Sequence, residues 1–428
     1  MPLKILHVNY YDKVGGAAIA VNRIHDSFLE NEIDSKILVA NKISTNNKVI
    51  GPSSTIEEIF WKVRISINRK IEKFEKKKLY DSNSYNLIKN NFVKKINEIN
   101  CDIVNLHWIG NNLISINDIK KINKPIVWTM HDMWPYTGSE HYTFSKRYVE
   151  GYTIENKSKE NKGYDIEKYC WEQKKRHYPK NISIVATSNW QLNNVKNSML
   201  FKNNIIEKIF YPINFNEWKP YDKKISRNYL NLPLDKKIIV CGSENLDIPR
   251  KGFSKLINAT KNSNFKKNLL IIFFGDNKKK IPEDVEYKHF GKIENKSLDM
   301  KFIYSASDLM VAPSLQESFG QTVLEASCCG IPSVCFEKTG FCDVINHKDN
   351  GYIAKSNDDD DMIEGINWCL NNWSKDLAKK NIESLKEKFS NKIISQKYLN
   401  FYKIIINSVI CAFNSIIKVL FSIYLFLN

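Results

Sequence analysis

Short apolar runs alternating with amphipathic stretches, twice over, constrain this chain more than any other feature. In the first half the runs are KILHV (4–8), SKILVA (35–40), DIVNLHW (102–108), PIVWTMH (125–131) and ISIVATS (182–188). Between them lie stretches such as GGAAIAVNRIHDSFLEN (15–31), whose apolar residues step by three and four, the period of one helix face. Then IFYPINFNEWKPYD (209–222) breaks every period with two prolines, Pro212 and Pro220. The alternation restarts with KKIIVCG (236–242), NLLIIFFG (268–275), YKHFG (287–291), DLMVAP (308–313) and IPSVCF (331–336). Apolar strands separated by helices build parallel sheets covered on both faces. The pattern therefore predicts two doubly wound α/β units in tandem, facing an interdomain cleft. Their bounds are expected at 1–210 and 221–395, around a hinge at 211–220. Residues 396–410 read as a terminal helix packing back on the first unit, and 411–428 as an apolar tail with membrane contact.

With 428 residues, 43% of them hydrophobic and 12% aromatic, the chain has material for two sizeable cores. Its nine cysteines include no C-x-x-C pair and no metal-ligand spacing, and no leader is read before the first strand, which together imply reduced cytosolic thiols. A net charge of +17 points to nucleic acid, an anionic membrane surface or a phosphate-bearing substrate. Nucleic acid is disfavoured, because no binding motif for it is present. The basic stretch WKVRISINRKIEKFEKKKLY (61–80) carries apolar residues at helical spacing among its cations, as a helix lying on anionic lipid does. The expected location is cytoplasmic, peripheral at the inner membrane face.

Residues 313–332 read PSLQESFGQTVLEASCCGIP. Glu317 falls in the loop after a strand, Gly320 opens a helix, and Glu325 lies deeper along that helix before Gly330 and Pro332 stop it. First-turn amides of such a helix suit a diphosphate, and the two carboxylates are too far apart along it to share one proton. The same residues also fit plain helix punctuation, with Glu317 favoured by the helix dipole. Arg250 and Lys251 precede a helix in PRKGF (249–253), and Gly15 and Gly16 follow the first strand. The glycines do not make G-x-G-x-x-G, which argues against a dinucleotide. His131 ends the fourth apolar run, with Asp132 directly after it, and His107 and Trp108 end the third.

Taken in order, YSASDLMVAPSLQESFGQTVLEASCCGIPSVCF, PRKGF, HFGKI, KTGFCDVINHKDNGYIA and YPINFNEWKP resemble the retaining glycosyltransferases of family 4 over nearly the whole chain to about residue 400. WTMHDMWPYTG (128–138) is similar to a subgroup acting in bacterial exopolysaccharide and O-antigen assembly. The resemblance implies the GT-B fold, with two Rossmann-like domains. It implies that Glu325 binds the nucleotide ribose and Glu317 the transferred sugar. The amides of Phe319, Gly320 and Gln321, with Thr322, would meet the donor. Lys251, helped by Arg250, would neutralise the leaving diphosphate, and His131 would face the donor sugar. Gly15 and Gly16 would approach the diphosphate, and Ile293 would lie where the base is held by backbone. His107, Trp108 and Asp132 fall on the acceptor side. No metal and no bound cofactor are implied; a UDP- or GDP-linked sugar is the co-substrate, and the acceptor is a saccharide or, given the basic stretch 61–80 and the apolar tail, a lipid-linked oligosaccharide. Two departures stand out. No basic residue precedes Arg250 in CGSENLDIPRKG, and the subgroup's cysteines after TG are missing except for Cys170. A nucleotide-sugar epimerase or phosphorylase of the same fold, and a non-catalytic sugar-binding protein, remain as alternative readings.

Overall fold

The computed structural model describes residues 3–74, 82–159, 163–261, 268–278 and 280–427, with the side chains of 73, 74, 261 and 412–427 left aside. The expectations for residues 75–80 and for the apolar side chains of 412–428 lie outside the described residues.

The first domain holds seven parallel strands: β1 (Lys4–Tyr11), β2 (Asp34–Asn41), β3 (Val49–Ile50), β4 (Ile103–Leu106), β5 (Ile126–Met130), β6 (Ser183–Ala186) and β7 (Ile206–Lys208). They lie in the order β3-β2-β1-β4-β5-β6-β7. The second holds β8 (Lys237–Asn245), β9 (Leu269–Asp276), β10 (Tyr287–His289), β11 (Leu309–Ala312), β12 (Ser333–Phe336) and β13 (Gly351–Ala354), in the order β10-β9-β8-β11-β12-β13. Central strands such as β4, β5, β11 and β12 are buried at every residue, so both faces of each sheet are covered. The strand order reverses between β1 and β4 in one sheet and between β8 and β11 in the other. Ligands of such sheets bind at that reversal, beyond the carboxyl ends of the strands.

All ten strands read from the sequence are present. β3, β7 and β13 are additional, each two to four residues long and at a sheet edge. Runs that short carry no readable period.

The connection from Ile209 to Trp218 joins the domains. Its Ile213 N–H donates to Phe389 O at 2.9 Å, beside the second crossing of the chain. That crossing leads into α13 (Asn391–Leu427), which lies against α1 (Gly15–Glu30) of the first domain. Phe28 of α1 packs edge-on to Tyr398 and Tyr402, at 5.5 and 6.1 Å between ring centroids, and Asn105 Nδ2 donates to the Tyr402 hydroxyl at 2.8 Å. The largest buried apolar cluster runs from β1 and α1 through this junction into the second sheet. Helix α2 (Thr55–Phe74) buries Trp61, Arg64 and Asn68 and leaves Ile56, Ile59, Phe60 and Val63 exposed at 81, 55, 44 and 51%. Among the described residues no helix is long and apolar enough to cross a membrane.

Candidate active site

In the second domain the chain after β8 and the chain after β11 meet at the sheet's reversal. Gly252 has φ +66°, and a Cβ there would lie 1.9 Å from Pro313 O, so only glycine lets the turn Pro249–Lys251 approach the end of β11. That approach puts Lys251 Nζ 2.7 Å from Glu317 Oε2, with both side chains largely buried. Burial pushes the Glu317 carboxyl up, but Lys251 and Arg250 outweigh it and hold the group below the usual glutamate range. Arg250 donates to Gln316 O at 3.2 Å and stacks over the Tyr142 ring at 3.6 Å. Gly320 has φ +99° and stands before α10 (Gln321–Cys328); a Cβ there would strike the Phe341 ring at 2.0 Å. Phe319 is buried against Tyr211, at 4.9 Å between centroids, while Gln321 and Thr322 stay partly exposed on the first turn. Ile293 is half-buried and packs on the central apolar cluster.

Glu325 sits elsewhere. Its carboxylate is 2% exposed and pairs with the Arg23 guanidinium of α1, itself 4% exposed, across the domain boundary. Asn295 Nδ2 donates to Oε1 and the Tyr304 hydroxyl to Oε2, each at 3.0 Å. Arg23 also reaches Gln321 Oε1 at 3.2 Å, and Gln321 Nε2 donates to Gly16 O at 2.8 Å. A Cβ on Gly15 would lie 3.4 Å from Glu244 Oε2 at the end of β8. Thus Gly15 and Gly16 do face the second domain's carboxyl edge.

In the first domain the strand ends carry a row of imidazoles. His7 Nδ1 lies 2.8 Å from His107 Nε2, and His107 Nδ1 lies 2.8 Å from His131 Nε2. His131 Nδ1 then meets the Tyr211 hydroxyl at 2.5 Å. Burial lowers all three, His131 to about 4, so the row is neutral at physiological pH. His107 is therefore enclosed between two rings, and of the pair expected on the acceptor side only Trp108 is partly exposed. Trp108 stacks on His141 at 5.1 Å. Asp132 Oδ2 pairs with His141 Nδ1 at 2.6 Å, and Oδ1 accepts from Trp134 N at 2.9 Å, so Asp132 shapes its own loop. Buried Lys174 holds the same loop, donating to Trp134 O, to Thr137 O at 3.2 Å and to Gly138 O at 2.7 Å. Burial brings its pKa down to about 7.

Two contact sets close the boundary. On one side stand Arg23–Glu325, Gln321–Gly16 and Lys296–Asp26 at 2.9 Å. On the other, Tyr142 meets Ser318 at 3.0 Å and Gln316 Nε2 donates to Thr143 O at 2.7 Å. Sequence reasoning missed Arg23, His7, Tyr142, Lys174 and Tyr211. For His7 a partial signal existed: the order β1-β4-β5 puts histidines 7, 107 and 131 on or just past neighbouring strands, though His7 is in register with Asn105 and not with His107. Among the described residues no three His, Cys, Asp or Glu side chains converge as a metal-ligand set.

Two doubly wound domains, carboxyl edge to carboxyl edge, with a lysine–glutamate pair at the reversal of the second sheet, define a chain of the GT-B fold. Residues 222–388, in the second domain, match the family model described as glycosyl transferases group 1, in agreement with the resemblance read from the sequence. O-antigen chain mannosyltransferase B of Escherichia coli is 31% identical over 109 residues, 25% of this chain and 28% of that protein. The curated relatives it matches are spanned over 21% to 42% of their own length. Sucrose-phosphate synthase from Thermosynechococcus elongatus superposes with a TM-score of 0.66 at 15% identity, covering 95% of this chain and 100% of that one. Anabaena HepE, solved with UDP and glucose, gives 0.62 at 16% identity over 94% and 99%. At such identities these structures share the fold.

Proposed function

We propose that the protein is a glycosyltransferase that moves a sugar from a nucleotide diphosphate sugar to a hydroxyl of a saccharide acceptor, with retention at the anomeric carbon. The observation that carries this reading is the Lys251–Glu317 pair at the sheet reversal of a domain matched to glycosyl transferases group 1. A donor diphosphate takes Lys251 from Glu317 and so frees the carboxylate for the hydroxyls of the transferred sugar. As the anomeric C–O bond breaks, its electron pair goes to the phosphate oxygen, where Lys251 and the first-turn amides of α10 stabilise the charge. The acceptor oxygen attacks from the face the diphosphate leaves, and its proton passes to that diphosphate. Glu317 is the carboxylate at hand for a covalent route; its pairing with Lys251 favours the hydroxyl-binding role.

The acceptor we assign is a lipid-linked saccharide of a surface polysaccharide, met at an anionic membrane face. The support is the exposed stripe Ile56-Ile59-Phe60-Val63 on α2, flanked by exposed Lys62, Arg69 and Lys70. UDP- and GDP-sugars screened by thermal shift identify the donor, since a ligand of the native state raises its melting temperature. Release of nucleoside diphosphate then reads turnover. Lys251→Ala and Glu317→Ala are each expected to lose about 100-fold or more in kcat while remaining folded at the assay temperature, the loss typical of a removed charge-stabilising group. Full turnover in either variant rejects the role given to that residue.

A further inference from the structure

The row of imidazoles has a property that no single histidine has. His7 stands on β1, His107 just past β4 and His131 just past β5, three neighbouring strands, and the links between them are 2.8 Å each. The last link, 2.5 Å, is to Tyr211, which lies on the connection between the domains. His7 and His107 are buried, as is Tyr211. At the far end, His7 Nε2 is buried and has no hydrogen-bond partner among the described residues. Neighbouring rings stay within 5.0 to 5.4 Å, so the whole row is packed as one unit.

A neutral imidazole has one N–H and one bare nitrogen. In a row of them each link needs one donor and one acceptor, so every link must run in the same direction. Two arrangements satisfy this. In one, Tyr211 donates to His131 Nδ1, and the N–H groups point toward His7. In the other, His131 Nδ1 carries the proton and donates to Tyr211. Passing from the first to the second moves a proton along every link toward His7, releases the Nε2 proton there and draws one in at Tyr211, so the direction of the row is tied to the state of both ends. What it transmits is which ring nitrogen is protonated.

The other end lies at the domain boundary. The Tyr211 ring lies between His131, 5.4 Å away, and Phe319 of the second domain, 4.9 Å away. Both nitrogens of His131 are occupied, Nε2 by His107 and Nδ1 by the tyrosine. A substrate hydroxyl reaches this histidine only in place of Tyr211.

We propose that His7 and His107 are positioning residues that fix the protonated nitrogen of His131, and that Tyr211 is a removable cap that hands His131 Nδ1 to a hydroxyl of the bound sugar. This rests on the reading of His131 as facing the donor sugar. A histidine buried on β1 with an unpaired nitrogen costs stability that an apolar residue would not. The row recovers that cost as a defined tautomer beside the reacting sugar.

The test is made on the full chain with 15N-labelled histidine, by long-range correlation spectra that separate protonated from bare ring nitrogens. His131 is expected to show one tautomer. His7→Leu, two links away, is expected to turn it into a mixture. His7→Asn, whose amide stands where Nδ1 stood, restores the single form. Tyr211→Phe moves the Nδ1 signal while keeping the ring stack. In turnover with the donor found by screening, His7→Leu lowers kcat by about tenfold or more, the loss that outer partners of a reacting histidine produce, with donor KM nearly unchanged. Tyr211→Phe lowers donor KM. A His131 spectrum that His7→Leu leaves unchanged overturns the proposal, as does unchanged kcat in that variant. If His7→Leu does not fold, an unmoved Nδ1 signal in Tyr211→Phe overturns it alone. The spectra need no donor, so a failure of the transferase reading and a failure of the row are told apart.

Discussion

Burial of His7, His107 and His131 ties the stability of the first domain to pH. Their pKa values in the folded chain are depressed, His131 to about 4 against 6.5 when exposed, with burial the largest cause. Between those values the unfolded chain binds protons that the folded chain does not, so stability is full above pH 6.5 and is lost as pH falls toward 4. A depression of that size is worth roughly 3 kcal/mol for His131 alone at the neutral end. Urea midpoints are therefore expected to fall between pH 7 and pH 5, and His131→Gln to flatten the dependence. A midpoint constant over that range contradicts the assignment. At this scale the local residues were the legible ones. Glu317, Gly320 and Lys251 lie in short motifs whose chemistry is carried by neighbours in sequence. Arg23 and Tyr211 are placed by partners 302 and 80 residues away, Glu325 and His131. Only topology brings those together, and no local pattern encodes it.

Helices and strands divide in the same way. Long apolar strands announced themselves, because a strand buried on both faces is a run of Val, Ile and Leu. Helix α1 was visible through its period, whereas β3, β7 and β13 offer two to four residues and no period at all. Helix α2 was legible as basic and amphipathic, yet not in its division of labour. Trp61 and Arg64 face the core, and Arg64 donates to Asn112 O at 3.0 Å, while Ile56, Ile59, Phe60 and Val63 face outward. An exposed apolar stripe beside cations costs solubility unless something covers it. Flotation with vesicles containing phosphatidylserine tests the lipid surface. The full chain is expected to float. The double variant Ile59→Ser/Phe60→Ser is expected to lose most of that binding and to keep its melting temperature, since neither side chain is part of the core. Equal flotation of both forms removes α2 from the membrane-binding face. Flotation lost only when the chain is cut at residue 410 moves that role to the end of α13.

At the scale of the whole molecule, α1 supplies one of the two contact sets that close the boundary. Arg23 reaches into the second domain to Glu325, and Lys296 reaches back to Asp26, while Gln321 bonds Gly16. The family resemblance gives Glu325 the ribose, but both of its oxygens already accept hydrogen bonds, Oε1 from Arg23 and Asn295 and Oε2 from Tyr304. A donor hydroxyl at Oε1 competes with the arginine, and apparent donor affinity is then reduced by the fraction of molecules in which the pair is open. Removing one partner of a buried ion pair costs about 3–5 kcal/mol when the other stays buried. Parting of the domains avoids that cost by letting water reach Glu325. Arg23→Ala is accordingly expected to have a larger radius of gyration in small-angle scattering and to melt only slightly below the parent. It is also expected to bind the nucleoside diphosphate of the screened donor more tightly, because no arginine competes for the carboxylate. Weaker nucleotide binding with an unchanged radius of gyration gives the opposite meaning: Arg23 then holds the donor together with Glu325, and the closed form is the binding form.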